Sequence, residues 1–425
     1  MRLLCIGDIH LGRMPARLRE ALTGHVDPQE LGPAAAWQRA VDWALERGVD
    51  GVLLAGDVVE REDDFFEAYG DLKSGVDRLV NAGIAVVAVA GNHDGAILPR
   101  LAEAVPGFIL LGRQGRWETH TIEGQNGATL QVLGWSFPDA WVRENPLAQG
   151  LPETGSGPVL GLLHCDLDQP GSAYAPVRSA DLAATPVDRW LLGHIHRPSL
   201  GGAEQRWGYL GSLTGLDPGE PGPHGPWLLS VQRQWTMQQV PLAPLRWETV
   251  EVPVDAVQAA EEIQTRIIQS LQELHVRIVQ DGSRPRAVGV RLMLTGRSAL
   301  RRQIQQRLAQ DDPQQHVHAE EGTWYFVHDW QVRIQPAMDL QELARSQDPA
   351  GLLAQKILIV RDRDTPQRRE LIAAAQERLH KRARQPQFAA LSPEPPDAEH
   401  TASLLEDAAL QALDELLTQR EQGGA

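Results

Sequence analysis

Five short apolar runs in the first half of the chain each end in residues able to hold a metal ion. Leu3-Leu4-Cys5-Ile6 leads into Gly7-Asp8-Ile9-His10, Val52-Leu53-Leu54-Ala55 into Gly56-Asp57, and Ile84 to Ala90 into Gly91-Asn92-His93-Asp94. Val159 to Leu163 leads into His164, and Trp190-Leu191-Leu192 into Gly193-His194-Ile195-His196. Short apolar runs bounded by turn residues read as strands buried on both faces. In an open α/β sheet the carboxyl ends of such strands converge on one edge, so residues far apart in sequence meet there. Between the runs, Ala34 to Glu46 carries Trp37, Val41, Ala44 and Leu45 at helical spacing and stops at Gly48, and Phe65 to Val80 is also helical.

Beyond residue 94 the pattern turns to shorter strands, at Thr119–Ile122, Leu130–Leu133, Val159–Leu163, Trp190–Leu192, Trp227–Val231 and Gln239–Val240, separated by Gly- and Pro-rich turns such as Asp217–Pro226. Strand–helix alternation followed by strand-rich sequence predicts two packed sheets flanked by helices over residues 1–250. Residues 251–345 read as a small α+β unit. It has a helix at Val254–Leu274, a strand at Ala287–Leu294, a helix at Leu300–Leu308, and strands near Thr323–Val327 and Val332–Ile334. Residues 346–384 form a basic helical segment from Pro349 onward, and 385–400, with four prolines, a linker. Residues 401–425 hold a last helix that opens on the capping-box spacing Ser403-x-x-Glu406 and carries Leu405, Leu413 and Leu416 on one side.

With 425 residues, two domains and a tail are expected. Two cysteines, Cys5 and Cys165, exclude a disulfide-dense scaffold and any Cys-only metal site. The start of the chain lacks a signal-peptide core, and no apolar run approaches the roughly 18 residues of a membrane helix. The expectation is a cytoplasmic protein with no membrane partner.

The strand-end residues amount to two carboxylates, four imidazoles and an amide oxygen, a mixed N/O set suited to borderline divalent ions such as Mn²⁺, Fe²⁺ or Zn²⁺. Asp8, His10 and His196 would serve one ion and Asn92, His164 and His194 a second. Asp57 would bridge them, giving four protein ligands each. Two ions about 3.5–4 Å apart activate water and clamp a phosphoryl group.

These motifs resemble the five signatures of the calcineurin-like metallophosphoesterases. The fuller Gly7-Asp8-Ile9-His10-Leu11-Gly12, the Gly193-His194-Ile195-His196 ending and Tyr209-Leu210-Gly211-Ser212 are similar to SbcD-type DNA-repair exonucleases. Phe66-Glu67-Ala68-Tyr69-Gly70 and Val87 to Asp94 resemble their YhaO-like branch. The resemblance covers roughly residues 1–235. It implies a four-layer α/β/β/α metallophosphoesterase sandwich followed by a small α+β capping domain and a helical C-terminal tail. It also implies two divalent ions, most readily Mn²⁺, and a metal-dependent nuclease, exo- or endonucleolytic, acting in DNA repair with an SbcC-like coiled-coil ATPase gripped by C-terminal helices, and a homodimer. By the same resemblance His93 lies over the phosphate and assists the leaving oxygen. The family places an Asp three residues after the bridging Asp to pair with that histidine. This chain has Glu60 there.

A formal net charge of −16 argues against DNA binding until the charges are located. Residues 1–250 hold 30 acids against 19 bases, whereas Leu274 to Gln310 holds eight arginines against Asp281 alone. Arg284, Arg286, Arg291, Arg297, Arg301 and Arg302 are therefore the candidate DNA contacts. Two other readings stand beside the nuclease: a metallophosphodiesterase or phosphatase acting on a small nucleotide, and a non-catalytic scaffold for an ATPase. The serine/threonine protein phosphatases usually carry Gly-Asn-His-Glu, and Asp94 counts against them.

Overall fold

The computed structural model describes the chain apart from residues 19–21, 23, 126, 201–204, 311–315, 384–395 and 424–425. In chain order the first elements are β1 (Arg2–Ile6), α1 (Pro33–Arg47), β2 (Gly51–Ala55), α2 (Phe65–Asn81), β3 (Ala85–Val89), α3 (Leu98–Ala104) and β4 (Phe108–Leu110). Then follow β5 (Glu118–Glu123), β6 (Thr129–Trp135), β7 (Val159–His164), α4 (Ser179–Ala183), β8 (Arg189–Gly193), β9 (Trp207–Tyr209), β10 (Trp227–Val231) and β11 (Trp235–Gln239).

Two sheets form. One runs β11-β10-β1-β2-β3-β4 with β1 to β4 parallel, the other β5-β6-β7-β8-β9 with β6 to β9 parallel. Alternate residues of each strand face opposite ways, and this alone generates the layers. Leu3, Cys5, Leu53, Val87 and Val89 pack against Leu130, Val132, Leu160, Leu162 and Leu191 between the sheets. Leu4, Ile6, Val52, Leu54 and Val86 face Trp37 and Val41 of α1 and Leu72 and Val76 of α2. On the far side, Leu133, Trp135, Trp190 and Leu192 cover Leu182 of α4. The order is α/β/β/α, with the parallel strands of both sheets ending toward the same motif residues.

Beyond the sandwich lie β12 (Leu245–Pro253), α5 (Ile263–Gln280), β13 (Ala287–Thr295), β14 (Arg297–Ser298), α6 (Arg301–Gln310), β15 (Val317–Glu320), β16 (Thr323–Val332) and β17 (Gln335–Pro336). A four-stranded sheet has the order β12-β13-β16-β15. Strand β12 stops at Pro253, just before the start of the expected Val254–Leu274 helix. Val250 and Val252 are buried while Glu251 and Pro253 are exposed, a period of two, and the helix begins only at Ile263. The two expected strands around Thr323 and Val332 are the single strand β16. It pairs with β15 across Glu321 and Gly322, both at positive φ, as a two-residue hairpin turn requires. The strand expected at Gln239–Val240 is β11, centred three residues earlier.

The C-terminal elements are α7 (Leu340–Leu343), α8 (Pro349–Arg361), α9 (Pro366–Ala383) and α10 (Ala398–Gly423). The expected continuous basic helix is thus two helices, parted at residues 362–365, where Pro366 starts a new first turn. Most of the Pro-rich linker lies outside the described residues. Helix α10 starts before Ser403, with Asp397 Oδ1 accepting the His400 N–H at 2.7 Å, so the Ser403–Glu406 spacing sits inside a helix and caps nothing.

The chain divides into two compact units: Met1–Val250 with Ile268–Leu292 and Asp312–Trp330, and Glu251–Ile267 with Met293–Asp311 and Gln331–Ala425. In the first, Trp247, Leu245, Ala287 and Phe326 bury Leu22, Val26 and Leu31. In the second, α10 contributes Leu410 and Leu413 to a core with Leu340, Ala350, Ala354 and Ile357, and Leu405 packs beside Val360 and Ile372. The leucine side of the last helix is therefore largely consumed within its own unit. Among the described residues no helix is long and apolar enough to cross a membrane.

Candidate metal centre

Asp8 follows β1 and is fully buried. Its Oδ1 accepts the His194 N–H at 2.9 Å, while Oδ2 has no hydrogen-bond partner. A buried carboxylate oxygen without a donor is costly unless a cation faces it. Asp57, after β2, repeats the arrangement: Oδ1 accepts the His93 N–H at 3.0 Å, and Oδ2 lies 3.3 Å from His164 Nε2 and 3.9 Å from His10 Nε2. Each acid is held through one oxygen and offers the other.

The remaining donors converge on these free oxygens. His10 Nε2 stands 3.0 Å from His196 Nε2, and Asp8, His10 and His196 form one group whose ligand atoms lie within 4.8 Å of one another. Asp57, His164 and His194 form a second such group. The Asn92 oxygen is 3.1 Å from both His164 Nε2 and His194 Nδ1. All seven expected ligands therefore meet in two groups, and Asp57 Oδ2 faces both. The donor chemistry and the orphaned Asp8 oxygen fit a pair of divalent ions.

Holding these atoms together strains the backbone. His10, Asp57 and His194 all have φ in the left-handed region, at 58°, 48° and 104°. For residues with a Cβ this costs about 1–3 kcal/mol each. At Gly193 a Cβ would come within 2.1 Å of the Ala55 carbonyl and 2.7 Å of His164 Nδ1, so only glycine lets β8 end against this imidazole.

The charges respond to this packing. Burial favours the neutral form of His164, but the Asp57 and Asp8 charges outweigh it and raise its pKa to about 9. Burial acts against ionised Asp57 as well, yet His164, His10 and His93 hold its carboxyl far below the usual range. A divalent cation would supply positive charge to the same carboxylates.

His93 is exposed beside the first group, its ring centroid 5.1 Å from that of His10. Its Nδ1 lies 2.9 Å from the backbone carbonyl of Glu60. Glu60 thus meets His93 through its backbone carbonyl, while His10, the Glu60 carboxylate and His93 form a third group whose ligand atoms lie within 4.8 Å of one another. Glu60 Oε2 is 2.7 Å from His10 Nδ1 and 3.7 Å from Arg13, because the longer arm carries it past His93 to the buried ligand.

Three acids stand behind the candidate ligands, and two of them, Glu220 and Asp166, belong to no motif. Asp94, fully buried, accepts the Val58 and Gly91 N–H groups at 2.6 and 2.7 Å and the Val59 N–H at 3.3 Å, tying the Asp57 turn to the Asn92 turn. Glu220 bonds His196 Nδ1 at 2.7 Å, and Asp166 lies 3.3 Å from His194 Nε2. Only the position of Asp94 in Gly-Asn-His-Asp is legible in the sequence. Glu220 sits in a Gly/Pro-rich turn that looks like a surface loop.

The six arginines singled out for DNA divide between the two units, and all six have partners within the protein. Arg284 donates to the Val279 and Ser283 carbonyls, Arg286 pairs with Glu30 at 3.0 Å, and Arg291 with Asp329 at 3.1 Å. In the second unit Arg297 meets the Gln335 side chain at 3.3 Å, Arg301 pairs with Asp414, and Arg302 lies half-buried on α6.

Residues 1–198 match the family model described as Calcineurin-like phosphoesterase, and residues 247–335 the model described as Metallophosphoesterase YhaO, middle domain. Among curated proteins the chain is similar to an uncharacterized metallophosphoesterase YhaO of Bacillus subtilis strain 168. The identity is 28% over 183 residues, spanning 40% of this chain and 42% of that protein. Among solved structures it is similar to TT1561 of Thermus thermophilus, at 12% identity and a TM-score of 0.33 over 56% of this chain and 98% of that one. It is also similar to a dimetal phosphatase from Danio rerio, at 13% identity and a TM-score of 0.35 over 57% and 96%.

Proposed function

We propose that residues 1–198, which match the Calcineurin-like phosphoesterase model, form such a domain, and that the protein is a metal-dependent phosphodiesterase whose substrate is DNA. The observation that carries the reading is the pair of ligand groups sharing Asp57 Oδ2, with Asp8 Oδ2 unpartnered. When bound, two divalent ions, for which Mn²⁺ is proposed, supply an activated water and neutralise charge on the phosphoryl oxygens.

The chain's own residues do the positioning. Asp8 and Asp57 are aimed by backbone N–H groups, and His164 is fixed by the Ala55 carbonyl at 3.1 Å. His93 donates Nδ1–H to the Glu60 carbonyl, which leaves Nε2 at the exposed rim. As the cation, it gives the Nε2 proton to the leaving oxygen, a general-acid contribution of about 10²–10⁴-fold. His93 and Ile195 are both exposed, and an open rim admits a polymer. The SbcC-like ATPase partner, the homodimer, the role in DNA repair and the cytoplasmic location belong to the same proposal, on the resemblance alone.

A second reading has its own support. The ion pairs of Arg286, Arg291 and Arg301 leave less free positive charge than a DNA track needs, which favours a small phosphate ester. The two part on one experiment. Metal-stripped protein, given back Mn²⁺ or Mg²⁺, is incubated with labelled linear duplex, single-stranded DNA and a chromogenic phosphodiester, with and without the ATPase. Cleavage of DNA supports the nuclease. Hydrolysis of the small ester with DNA left intact in every arm refutes it.

A further inference from the structure

We propose that the two ion positions are unequal, and that Glu220 makes them so by positioning His196. The inference rests on the two-ion reading and concerns which residues behind the ligands set the affinity of each position.

An imidazole ligand binds best when its other nitrogen is held by an acceptor, and a carboxylate there raises its basicity. In the Asp8–His10–His196 group both imidazoles face a carboxylate. Glu220 Oε1 bonds His196 Nδ1 at 2.7 Å, and Glu60 Oε2 lies 2.7 Å from His10 Nδ1. In the Asp57–Asn92–His164–His194 group the backing is weaker. Asn92 is neutral, His164 Nδ1 bonds the uncharged Ala55 carbonyl at 3.1 Å with the Asp8 carboxylate only at 3.9 Å, and His194 Nε2 has its nearest acid, Asp166, at 3.3 Å. The first position is therefore the tighter one.

Glu220 is built to hold its place. Its Oε2 accepts the Leu216 N–H at 2.9 Å and the Ser212 hydroxyl at 3.3 Å, so both oxygens are engaged. Its carbonyl meets His224 Nε2 at 3.1 Å, and its N–H donates to the Asp217 carbonyl at 2.9 Å. The turn is pinned in addition by Gly222 N–H to the Trp247 carbonyl at 2.9 Å and by Trp247 Nε1–H to the Gly215 carbonyl at 3.1 Å. A carboxylate fixed at this many points sets the His196 tautomer, with hydrogen on Nδ1 and the Nε2 lone pair turned toward His10. Glu220 touches neither substrate nor ion, so it acts through His196.

The test titrates Mn²⁺ into metal-free protein by calorimetry, with bound metal counted by mass spectrometry. Wild type should take two ions in two steps of different affinity. Glu220→Gln, which keeps the arm and an acceptor oxygen but removes the charge, should weaken the tighter step about 10–100-fold and leave the looser step unchanged. Asp217→Ala removes a side-chain contact of the same turn, the acceptor of the Gly219 N–H at 2.8 Å, and touches neither the Glu220 carboxylate nor His196. It should bind as wild type, so a loss confined to Glu220→Gln is not a general loosening of the turn. Two equal steps in wild type, an unchanged Glu220→Gln, or an equal loss in both steps overturns the inference while the two-ion reading stands. Fewer than two ions in wild type overturns both.

Discussion

Replacing Asp94 by Asn should loosen both turns that present the ligands, although Asp94 is not itself a ligand. Its oxygens take three backbone N–H groups, two of them short: Val58 at 2.6 Å and Gly91 at 2.7 Å. An asparagine has one acceptor oxygen and an NH₂ that cannot accept. Whichever way it turns, either Gly91 or Val58 loses its partner and meets a donor. A buried donor left unsatisfied costs roughly 1–3 kcal/mol, and the surviving bond is weaker without the charge. Removing a buried charge close to Asp57 offsets part of this, so the net loss is about 2 kcal/mol. Asp94→Ala, with all three donors orphaned, should lose more. Urea unfolding in EDTA gives the total, and hydrogen exchange on peptides spanning residues 55–60 and 88–95 gives the location. If Asp94→Asn unfolds at the wild-type urea concentration and both peptides exchange at wild-type rates, the brace between the two turns does not exist.

His93→Leu should keep two ions per chain, since its ring is no member of either main ligand group, while turnover falls about 10²–10⁴-fold. Collapse of metal occupancy would show that its role is structural. The metal-free protein should also have a characteristic pH profile. Folding raises the His164 pKa to about 9, so the stability this imidazole contributes is fully present below the ordinary histidine value near 6.5 and is lost as pH climbs through about 9. Asp57, depressed by folding, contributes above its ordinary value and loses that contribution as pH falls below it. Melting temperature in EDTA should therefore decline from pH 6.5 to 9. A rise across that interval would contradict the His164–Asp57 pairing.

The strands that carry the ligands were legible because β1, β2, β3, β7 and β8 are buried on both faces and read as unbroken apolar runs ending in turns. The candidate ligands were legible for the same reason, each standing where such a run stops. What lay behind them was not. Glu220 reaches His196 from 24 residues away, across a turn whose Gly and Pro content signals only a loop. The Glu60 carboxylate bypasses His93 for His10, a choice made by side-chain length and burial rather than by spacing. Charge along the chain left the partners of these arginines hidden in the same way. Arg286, Arg291 and Arg301 form a run in sequence but meet Glu30, Asp329 and Asp414, acids that only folding brings near. The leucines of α10 were visible as a stripe. That Leu410 and Leu413 fill a core within their own unit is a tertiary fact.

In the proposed centre Asp57 joins two ion positions into one. Counting bound Mn²⁺ per chain in Asp57→Asn and Asp8→Asn, beside wild type, tests it most directly. Wild type should hold two ions, Asp8→Asn should lose the one shared with His10 and His196, and Asp57→Asn should lose both along with hydrolysis of a chromogenic phosphodiester. An Asp57→Asn protein that still binds two ions and still hydrolyses the ester would contradict the account.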